Sequence, residues 1–464
     1  MHTSQTANVL AGLWRTAGQD DAALSTVELT GAEPVLPSSF AVGTAAQATL
    51  AASALAANEL WRLRTGRRQR VAVDMRAAAI EFRSERYLRV DGKVPAEYHN
   101  SIAGLYCCGD GRWVRLHTNL PHHCSGVLKL LGCEHDRAAV QRALDGWKAE
   151  KLEDAAAAAG LVVTACRSFA EWDHHPQGQA VAALPPFSIE QIGDAPAIPL
   201  PAAERPLAGI KVLDLTRIIA GPVCGRTLAA HGADVLLVTA PHLPSMRPLV
   251  IDTGRGKLST SIDLREQGGR NTLAALIHDA DVFVQGYRPG AVAEFGFSPE
   301  EAAKIRPGLV YVSLCAYGHA GPWAGRRGFD SLVQTASGFN AAEAEAFGQS
   351  KPRELPAQEL DHATGYLLAF AAMTALKRRA EQGGSWHVRC SLAQTGYWLR
   401  TLGLIGGTQC PDRRSNDVRA LLEEGPSGFG RLTSVRHAAS MSETPPRWAR
   451  QSVPLGTHPP AWPA

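Results

Sequence analysis

The chain has 464 residues, of which 45% are hydrophobic and 20% are charged, and its formal net charge at pH 7 is +3. This composition is typical of a globular protein, and the length predicts two or three domains. Because the basic residues are scattered, charge gives no reason to expect a nucleic-acid partner. No stretch of 18 residues is continuously apolar, so no membrane span is expected.

The first residues, MHTSQTANVLAGLW, lack the basic stretch and the apolar core of a secretory signal. Nine cysteines are present, and none of them forms the C-x-x-C pairs of zinc sites. The adjacent histidines 122–123 and 174–175 have the residue type of metal ligands, but adjacent histidines usually point apart. We therefore expect a reduced, cytoplasmic protein without a metal site.

The first predicted elements are a helix and a strand. Residues 1–40 give little signal beyond a loop near their end. Residues 41–63 predict an alanine-rich helix, and Gly66 suits a left-handed helix end after arginines in the last turn. A strand is predicted over 71–75.

A similar order recurs late in the chain. Residues 361–379 predict a second long helix, glycines follow at 383–384, and a strand is predicted over 386–392. The recurrence indicates a partial internal duplication. The alternative is chance, since alanine-rich helices resemble one another.

Between these two units, a βαβ unit is predicted. Residues 210–215 form an apolar run of strand type, Pro222 suits a helix start, a helix continues over 223–230, and 233–238 predict a second strand. Strand, helix and strand with short loops make a parallel sheet, whose ligands lie at the carboxyl ends of the strands.

Six sequence blocks resemble the class III CoA-transferases of the CaiB/BaiF type, a family that includes formyl-CoA and carnitine CoA-transferases. The clear match covers about 206–400, and a looser one covers most of 40–200. The blocks are LAGIKVLDLTRIIAGP, HGADVLLV, RGKLSTSIDL, ADVFVQGYRPG, FGFSPEEAAKIRPGLVYVSLCAYGHAGP and GFDSLVQTASG. The resemblance implies an α/β fold with a Rossmann-like parallel-sheet large domain and a smaller α+β domain.

Relative to the family, the order of the domains looks rearranged, because small-domain-like sequence precedes the large domain. In the tail, a short charged helix is predicted over 417–424, and SVPLGTHPP resembles a family ending that packs on the large domain. We expect an N-terminal segment at 1–40, a helix-strand unit with a small-domain-like region at 41–183, a proline-rich linker at 184–206, a large CoA-binding and catalytic domain at 207–400, and a tail at 401–464.

Asp361 is the candidate catalytic residue. On the residues alone it is a helix N-cap, where a carboxylate is favourable. In the family an aspartate at this place is the nucleophile. The resemblance implies that Asp361 attacks an acyl-CoA thioester and passes CoA, through a mixed anhydride and an enzyme–CoA thioester, to a carboxylic acid. CoA and acyl-CoA are then substrates, and no permanently bound cofactor is expected. Gly43-Thr44 align with this position in the first copy, which therefore supplies no second nucleophile.

The resemblance also implies which residues meet CoA. GRGKLST at 254–260 does not match a phosphate-binding P-loop, because a leucine follows the lysine. Lysine and arginine suit the phosphates of CoA; the alternatives are solvated surface cations and ordinary turn packing. The implied phosphate contacts are Arg217, Lys257 and Arg288, and the residues implied to line the cofactor path are Ile218, Ala220 and Gly221.

Other functions stay open on the sequence. The family's α-methylacyl-CoA racemases carry Gly-His-Asp where this chain has Gly328-Phe329-Asp330. Phenylalanine transfers no proton, so racemisation by that pair is disfavoured, and Asp330 is expected to be structural. Departures from the family at 238–241 and 285–287 leave an inactive or regulatory relative as an alternative, beside a racemase or other isomerase. The family's interlocked subunits lead us to expect a homodimer.

Overall fold

The computed structural model describes residues 5–96 and 100–463. Three short 3-10 helices lie at Asp21–Thr26, Ala293–Phe295 and Ser415–Leu421. The α-helices are α1 (Gln5–Thr16), α2 (Val42–Thr65), α3 (Met75–Glu81), α4 (Ser84–Tyr87), α5 (Pro121–Leu131), α6 (Arg137–Leu144), α7 (Ala149–Ala158), α8 (Phe169–His174), α9 (Pro176–Ala182), α10 (Ala220–Ala230), α11 (Arg247–Thr253), α12 (Gln267–His278), α13 (Pro299–Ile305), α14 (Asp330–Ala336), α15 (Phe339–Ala346), α16 (Glu359–Gln382) and α17 (Leu392–Thr401). The strands are β1 (Val27–Thr30), β2 (Val71–Asp74), β3 (Arg89–Val90), β4 (Gly104–Cys107), β5 (Trp113–Leu116), β6 (Val163–Ala165), β7 (Phe187–Gly193), β8 (Lys211–Leu215), β9 (Asp234–Thr239), β10 (Lys257–Ser261), β11 (Val282–Gln285), β12 (Val310–Cys315), β13 (Ser385–Ser391), β14 (Leu422–Ser427), β15 (Gly430–Val435) and β16 (Ala439–Met441).

A seven-stranded sheet forms the centre of the large domain, in the order β10-β9-β8-β11-β12-β13-β7. Six of its strands run parallel, and β7 joins the edge antiparallel to β13. Strands such as β11 and β12 are buried along their whole length, as expected for a parallel sheet covered on both faces. The mixed α/β fold predicted from the sequence is confirmed.

The predicted βαβ unit is present as β8, α10 and β9. Helix α10 begins at Ala220, three residues before the predicted start. Pro222 therefore lies within the first turn, where its missing N–H has no intrahelical partner to lose. Gly232 follows the helix with a φ of 108°, a positive value that glycine adopts without strain.

Two long helices, α2 and α16, pack side by side in the main core. Both have 24 residues, and nearly all of them are buried. Small side chains, mostly alanine, allow this close packing. Gly66 ends α2 in the left-handed conformation, as predicted from the sequence.

Three smaller sheets complete the fold. Strands β4, β5 and β6 form an antiparallel sheet that packs with α5, α6 and α7 around a separate apolar cluster in the small-domain-like region. The second small sheet joins β1, β2 and β16, and the third joins β14, β15 and β3. The last two sheets each combine strands from the two ends of the chain.

The linker and the tail contain more regular structure than the sequence indicated. Part of the segment predicted as a proline-rich linker forms strand β7 of the main sheet. The short charged helix predicted over 417–424 is wrong: a 3-10 helix ends at Leu421, and β14 follows. The end of the chain packs on the large domain, since the Nδ1 atom of His458 accepts the N–H of Ser259 at 3.1 Å.

Candidate active site

The candidate site lies where the strand order of the main sheet reverses. The chain passes from β8 to β9 on one side, and β11 pairs with β8 on the other side. Loops that leave the carboxyl ends of two such strands diverge and form a crevice. Arg217 follows β8 and Arg288 follows β11, so both arginines belong to this edge of the sheet.

The loop from β8 to α10 has an unusual backbone. Ile218 has a φ of 75°, which is rare for a β-branched residue. A Cβ atom on Gly221 would lie 2.4 Å from the Cβ of Thr216, so glycine is required there. Such strain persists only where the surrounding structure imposes it, and it is frequent in functional loops. The loop delivers the first turn of α10 to the candidate nucleophile.

Asp361 is the third residue of α16, and 6% of its surface is exposed. Its carboxylate accepts a hydrogen bond from the N–H of Ala220, the first residue of α10. The two helices touch at this point, because a Cβ on Gly365 would lie 2.6 Å from the carbonyl oxygen of Ala220. The carboxylate therefore lies at the first turn of a second helix, where free N–H groups favour negative charge.

Asp330 holds the start of α16 in place. Its Oδ2 atom accepts the N–H of Asp361 at 2.8 Å, and its carboxylate also accepts the N–H of Leu360. The side-chain amide of Gln334 donates to the other oxygen. Asp330 thus caps the helix from outside, which supports its expected structural role, and Asp361 is not itself the N-cap.

The site contains several acids, and within the described ranges no cation forms an ion pair with Asp361. Burial raises the pKa of Asp361 well above its ordinary value, and the negative charges of Asp330 and Glu85 raise it further, whereas the Ala220 N–H lowers it. Burial raises the pKa of Asp330 to about 7. Burial also raises the pKa of Glu359, whose two carboxylate oxygens accept no hydrogen bond from the described residues. An ionised Asp361 is thus poorly compensated, which makes it a stronger nucleophile.

Lys257 does not reach the crevice. It is 2% exposed, and its Nζ atom donates to Asp214 Oδ2 and to the carbonyl of Pro222, each at 2.8 Å. Both contacts tie β10 to β8 and α10 beneath the site. The lysine that was expected to bind a phosphate therefore has its hydrogen bonds occupied inside the large domain.

The other two predicted cations lie nearer to open space. Arg217 is half-buried, and its guanidinium donates to the carbonyl of Pro244. Arg288 is paired with Glu294 at 2.9 Å and lines a cavity of about 290 Å³ between the large domain and the small-domain-like region. The same cavity is lined by two arginines that the sequence analysis did not single out, Arg326 and Arg327.

These two arginines also join the domains. Arg326 pairs with Asp154 at 3.2 Å, and Arg327 donates to the carbonyl of Gly160 at 3.0 Å. The sequence could have pointed to both arginines, because they directly precede the Gly-Phe-Asp segment. Three arginines on one cavity make it suited to an anionic ligand.

Histidines cover the neighbouring Gly-Phe-Asp segment from the small-domain side. The ring of His117 stacks on Phe329 with centroids 4.1 Å apart, and His123 meets the same ring edge-on at 6.1 Å. Burial lowers the pKa of His117 to about 4 and that of His123 to about 3, so both imidazoles are neutral at pH 7. Within the described ranges, no group of three or more potential metal ligands is arranged around a common point.

Glu85 and Glu359 were missed by the sequence analysis. Glu85, on α4, lies 3.3 Å from the Nε2 atom of His362, the neighbour of Asp361. Nothing in the local sequence of 84–87 connects it to a residue nearly three hundred positions later. Only the packing of α4 against the start of α16 reveals the contact.

The sequence model of CoA-transferase family III matches residues 16–203 and 207–420, well over half of the chain. The chain belongs to CoA-transferase family III. The two matched segments meet within the proline-rich stretch that separates β7 from β8. In the part of the chain that the structure describes, no helix has the length and apolar character needed to cross a bilayer.

Relatives within CoA-transferase family III match this chain in part. An acyl-CoA transferase of Gibberella moniliformis is 33% identical over 63% of this chain and 55% of its own length. The acetyl-coenzyme A transferase nodX of Hypoxylon pulicicidum is 38% identical over 43% of this chain and 35% of its own. The chain thus spans between a third and just over half the length of these relatives. A solved structure, Rv3272 of Mycobacterium tuberculosis, is 32% identical over 43% of this chain and 58% of its own, with a TM-score of 0.40.

Proposed function

We propose that this protein transfers CoA from an acyl-CoA thioester to a carboxylic acid, with Asp361 as the nucleophile. The observation that carries the proposal is the buried carboxylate of Asp361 at the first turn of α10, without a cation in contact. A carboxylate bound to a neighbouring cation would be stabilised in its resting state. One that meets only backbone N–H groups is oriented and remains reactive.

The reaction consists of two pairs of acyl transfers on the same carboxyl group. A carboxylate oxygen of Asp361 attacks the thioester carbonyl, and the C–S bond breaks to give a mixed anhydride and the CoA thiolate. The thiolate attacks the aspartyl carbonyl, which releases the donor acid as its carboxylate and leaves a thioester between Asp361 and CoA. The acceptor carboxylate attacks the aspartyl carbonyl of this thioester, and the C–S bond breaks to give a new mixed anhydride and the CoA thiolate. The thiolate then attacks the acceptor acyl carbonyl, which forms the new acyl-CoA and releases Asp361 as a free carboxylate.

The N–H of Ala220 supports both halves of this sequence. During attack at the aspartyl carbonyl, negative charge develops on an oxygen of that same group. A fixed donor at a helix N-terminus stabilises such an oxyanion without reorganising. The thioester is exchanged and not hydrolysed, so no nucleotide triphosphate is consumed.

For CoA itself we propose Arg217 and Arg288 as phosphate contacts, with Ile218, Ala220 and Gly221 lining the path to the nucleophile. Arg326 and Arg327 add positive charge to the cavity that Arg288 lines. Lys257 instead supports the loop from below through Asp214. An α-carbon racemase is disfavoured, because Phe329 fills the position at which a proton-transferring histidine would be needed.

The test is covalent labelling followed by mass spectrometry of the intact protein and its peptides. The chain is incubated with a panel of acyl-CoAs, acetyl-CoA first because of the activity named for nodX, and trapped with hydroxylamine. We expect a modification on the peptide that contains Asp361, absent in Asp361→Ala. Asp263→Ala, which removes a partly exposed aspartate of the same domain, is the matched control and should be labelled like the native protein. Labelling at another residue, or none with any donor despite CoA binding, would overturn the proposal.

A further inference from the structure

The starts of the two central helices have the same design. Thr44 is the third residue of α2, as Asp361 is the third residue of α16. The N–H of Thr44 donates to the carboxylate of Glu33 at 2.7 Å, and the N–H of Asp361 donates to that of Asp330 at 2.8 Å. In each case the N–H of the preceding helix residue donates to the same carboxylate. Two helices of equal length thus carry external carboxylate caps at equivalent positions.

The strands around the two helices also correspond. Strand β1 lies before α2 in the chain and pairs parallel with β2, which follows the helix, as β12 and β13 do around α16. The last residue of each following strand caps the next helix. Asp74 accepts the N–H of Ala77 at the start of α3, and Ser391 accepts the N–H of Gln394 at the start of α17. The match extends over strand, helix, strand and helix, so chance similarity between alanine-rich helices does not explain it.

Each of these units receives its third strand from the other half of the chain. Strand β7, which follows the small-domain-like region of the first half, pairs antiparallel with β13. Strand β16, which comes after the catalytic half, pairs antiparallel with β2. The exchange is reciprocal, and each edge strand joins its sheet in the same orientation.

We infer that residues 27–193 form a second copy of the catalytic unit, which acts as the partner of the catalytic copy within the same chain. The two halves of one chain exchange these strands with each other, so a single chain supplies all the residues around Asp361. The equivalent position of the first copy holds Thr44, whose hydroxyl cannot form an acyl anhydride, so each chain has a single nucleophile. This assembly is independent of which substrate the centre takes.

Near the starts of the two long helices, side chains of each copy also contact the other copy. Glu85 of the first copy contacts His362, next to Asp361, at 3.3 Å. One turn further along α16, the hydroxyl of Tyr366 donates to Glu81, also of the first copy. In the opposite direction, Glu343 of the catalytic copy accepts the N–H of Ser39, just before α2, at 2.9 Å.

The homodimer expected from the family is therefore not needed to complete the site. The difference between exchange within a chain and exchange between chains can be measured with disulfides. Ser188 lies opposite Arg389 in the β7–β13 pair, and Ala72 lies opposite Ser440 in the β2–β16 pair. Opposite residues of antiparallel strands have Cα atoms about 4.5–5.5 Å apart, which suits a disulfide.

The experiment uses two double variants of the full chain, Ser188→Cys with Arg389→Cys and Ala72→Cys with Ser440→Cys. None of the four positions is fully buried. After mild oxidation of the folded protein, we expect non-reducing electrophoresis to show only monomeric bands, and peptide mass spectrometry to find the two cysteines of each pair joined. The four single-cysteine variants are the controls for side reactions with the native cysteines.

A disulfide-linked dimer band in either double variant would show that the strands are exchanged between chains and would overturn the inference. Failure of both pairs to cross-link in folded protein would overturn it as well, because the paired strands would then be absent. The readout does not depend on enzymatic activity. A negative labelling result at Asp361 would therefore leave this outcome unaffected.

Discussion

Two groups of buried carboxylates, Asp252 on α11 and the pair Asp361 on α16 and Asp330 on α14, differ in their partners. Asp252 accepts from Arg226 at 2.7 Å and from Arg255 at 3.1 Å. Although burial alone would raise it, the two arginines hold the pKa of Asp252 below its ordinary value. Asp361 and Asp330 are buried to a similar degree, but their hydrogen-bond donors are backbone N–H groups and an amide.

The difference in hydrogen-bond partners indicates that the two groups of carboxylates have different roles. The Asp252 group joins the first copy to the large domain, since Ser84 donates to the same carboxylate at 2.6 Å. Its charges compensate one another, so it holds the halves together. The Asp361 group has no cation to compensate a negative charge, so burial raises the pKa of its carboxyl group and ionisation costs stability. Substitutions in either group should therefore change stability in different ways.

The largest effect is expected from Arg226→Met. Asp252 would keep Arg255, but Glu81, whose carboxylate lies 4.0 Å from Arg226, would lose its nearby cation. Removing one partner of a buried charge network costs about 3–5 kcal/mol. We expect a loss of this order in the free energy of unfolding, measured by urea unfolding at pH 7.

Arg67→Met is the matched control for that change. Arg67 forms an ion pair of 2.8 Å with Glu443, but 66% of its side chain is exposed. Pairs at such exposure contribute about 1 kcal/mol or less. If both substitutions had the same small effect, the structural role of the buried network would be refuted.

Asp361→Asn should change stability in the opposite direction, with an effect that grows with pH. Because the pKa of Asp361 is raised in the folded protein, the unfolded chain ionises first as pH rises. The native protein therefore loses stability above the ordinary pKa of aspartate, at up to about 1.4 kcal/mol per pH unit until the folded group ionises. Asparagine carries no charge at any pH. We expect the variant to gain thermal stability relative to the native protein between pH 5 and pH 8.

Asp263→Asn is the control for the sign of this change in stability, because the pKa of Asp263 is shifted in the opposite direction. The hydrogen bond from Arg265 lowers the pKa of this partly exposed aspartate to about 2. Its small contribution is present above the ordinary pKa and is lost only as pH falls toward 2, so Asp263→Asn should gain nothing at pH 8. A flat difference between Asp361→Asn and native protein across this range would contradict a raised pKa at Asp361. Labelling of the native protein should rise with pH over the same interval.

Sequence reasoning predicted those features that depend on local pattern. The βαβ unit, the two long helices and the turn before α10 are determined by apolar periodicity, Pro222 and the glycines that follow the elements. Family resemblance pointed to Asp361, whose chemistry cannot be deduced from one aspartate at a helix start.

The features that were missed depend on contacts between distant segments. The family resemblance implied that Lys257 binds a phosphate, and only the sheet order β10-β9-β8 shows that its ammonium group reaches across β9 to Asp214. Strand β7 lies in a proline-rich stretch whose local signal favours a linker, but β13 offers it a sheet edge. Glu85 reaches the site through the packing of α4 alone. Tertiary contacts override the local pattern in all three cases.

The smallest effect is expected from Arg288→Ala, which tests the cavity and not the acid group. Arg288 is 41% exposed and, among the residues that the structure describes, forms an ion pair only with Glu294, so its loss should leave the unfolding free energy within about 0.5 kcal/mol of the native value. An exposed arginine–phosphate contact is worth about 1–1.5 kcal/mol, which corresponds to a five- to tenfold rise in KM for acyl-CoA with little change in kcat. Arg265→Ala, at an arginine that is 60% exposed on the same domain and away from the cavity, should leave KM unchanged. Equal KM values in the two variants would remove Arg288 from the CoA site, while a rise confined to Arg288→Ala would place the phosphates of CoA between the two domains.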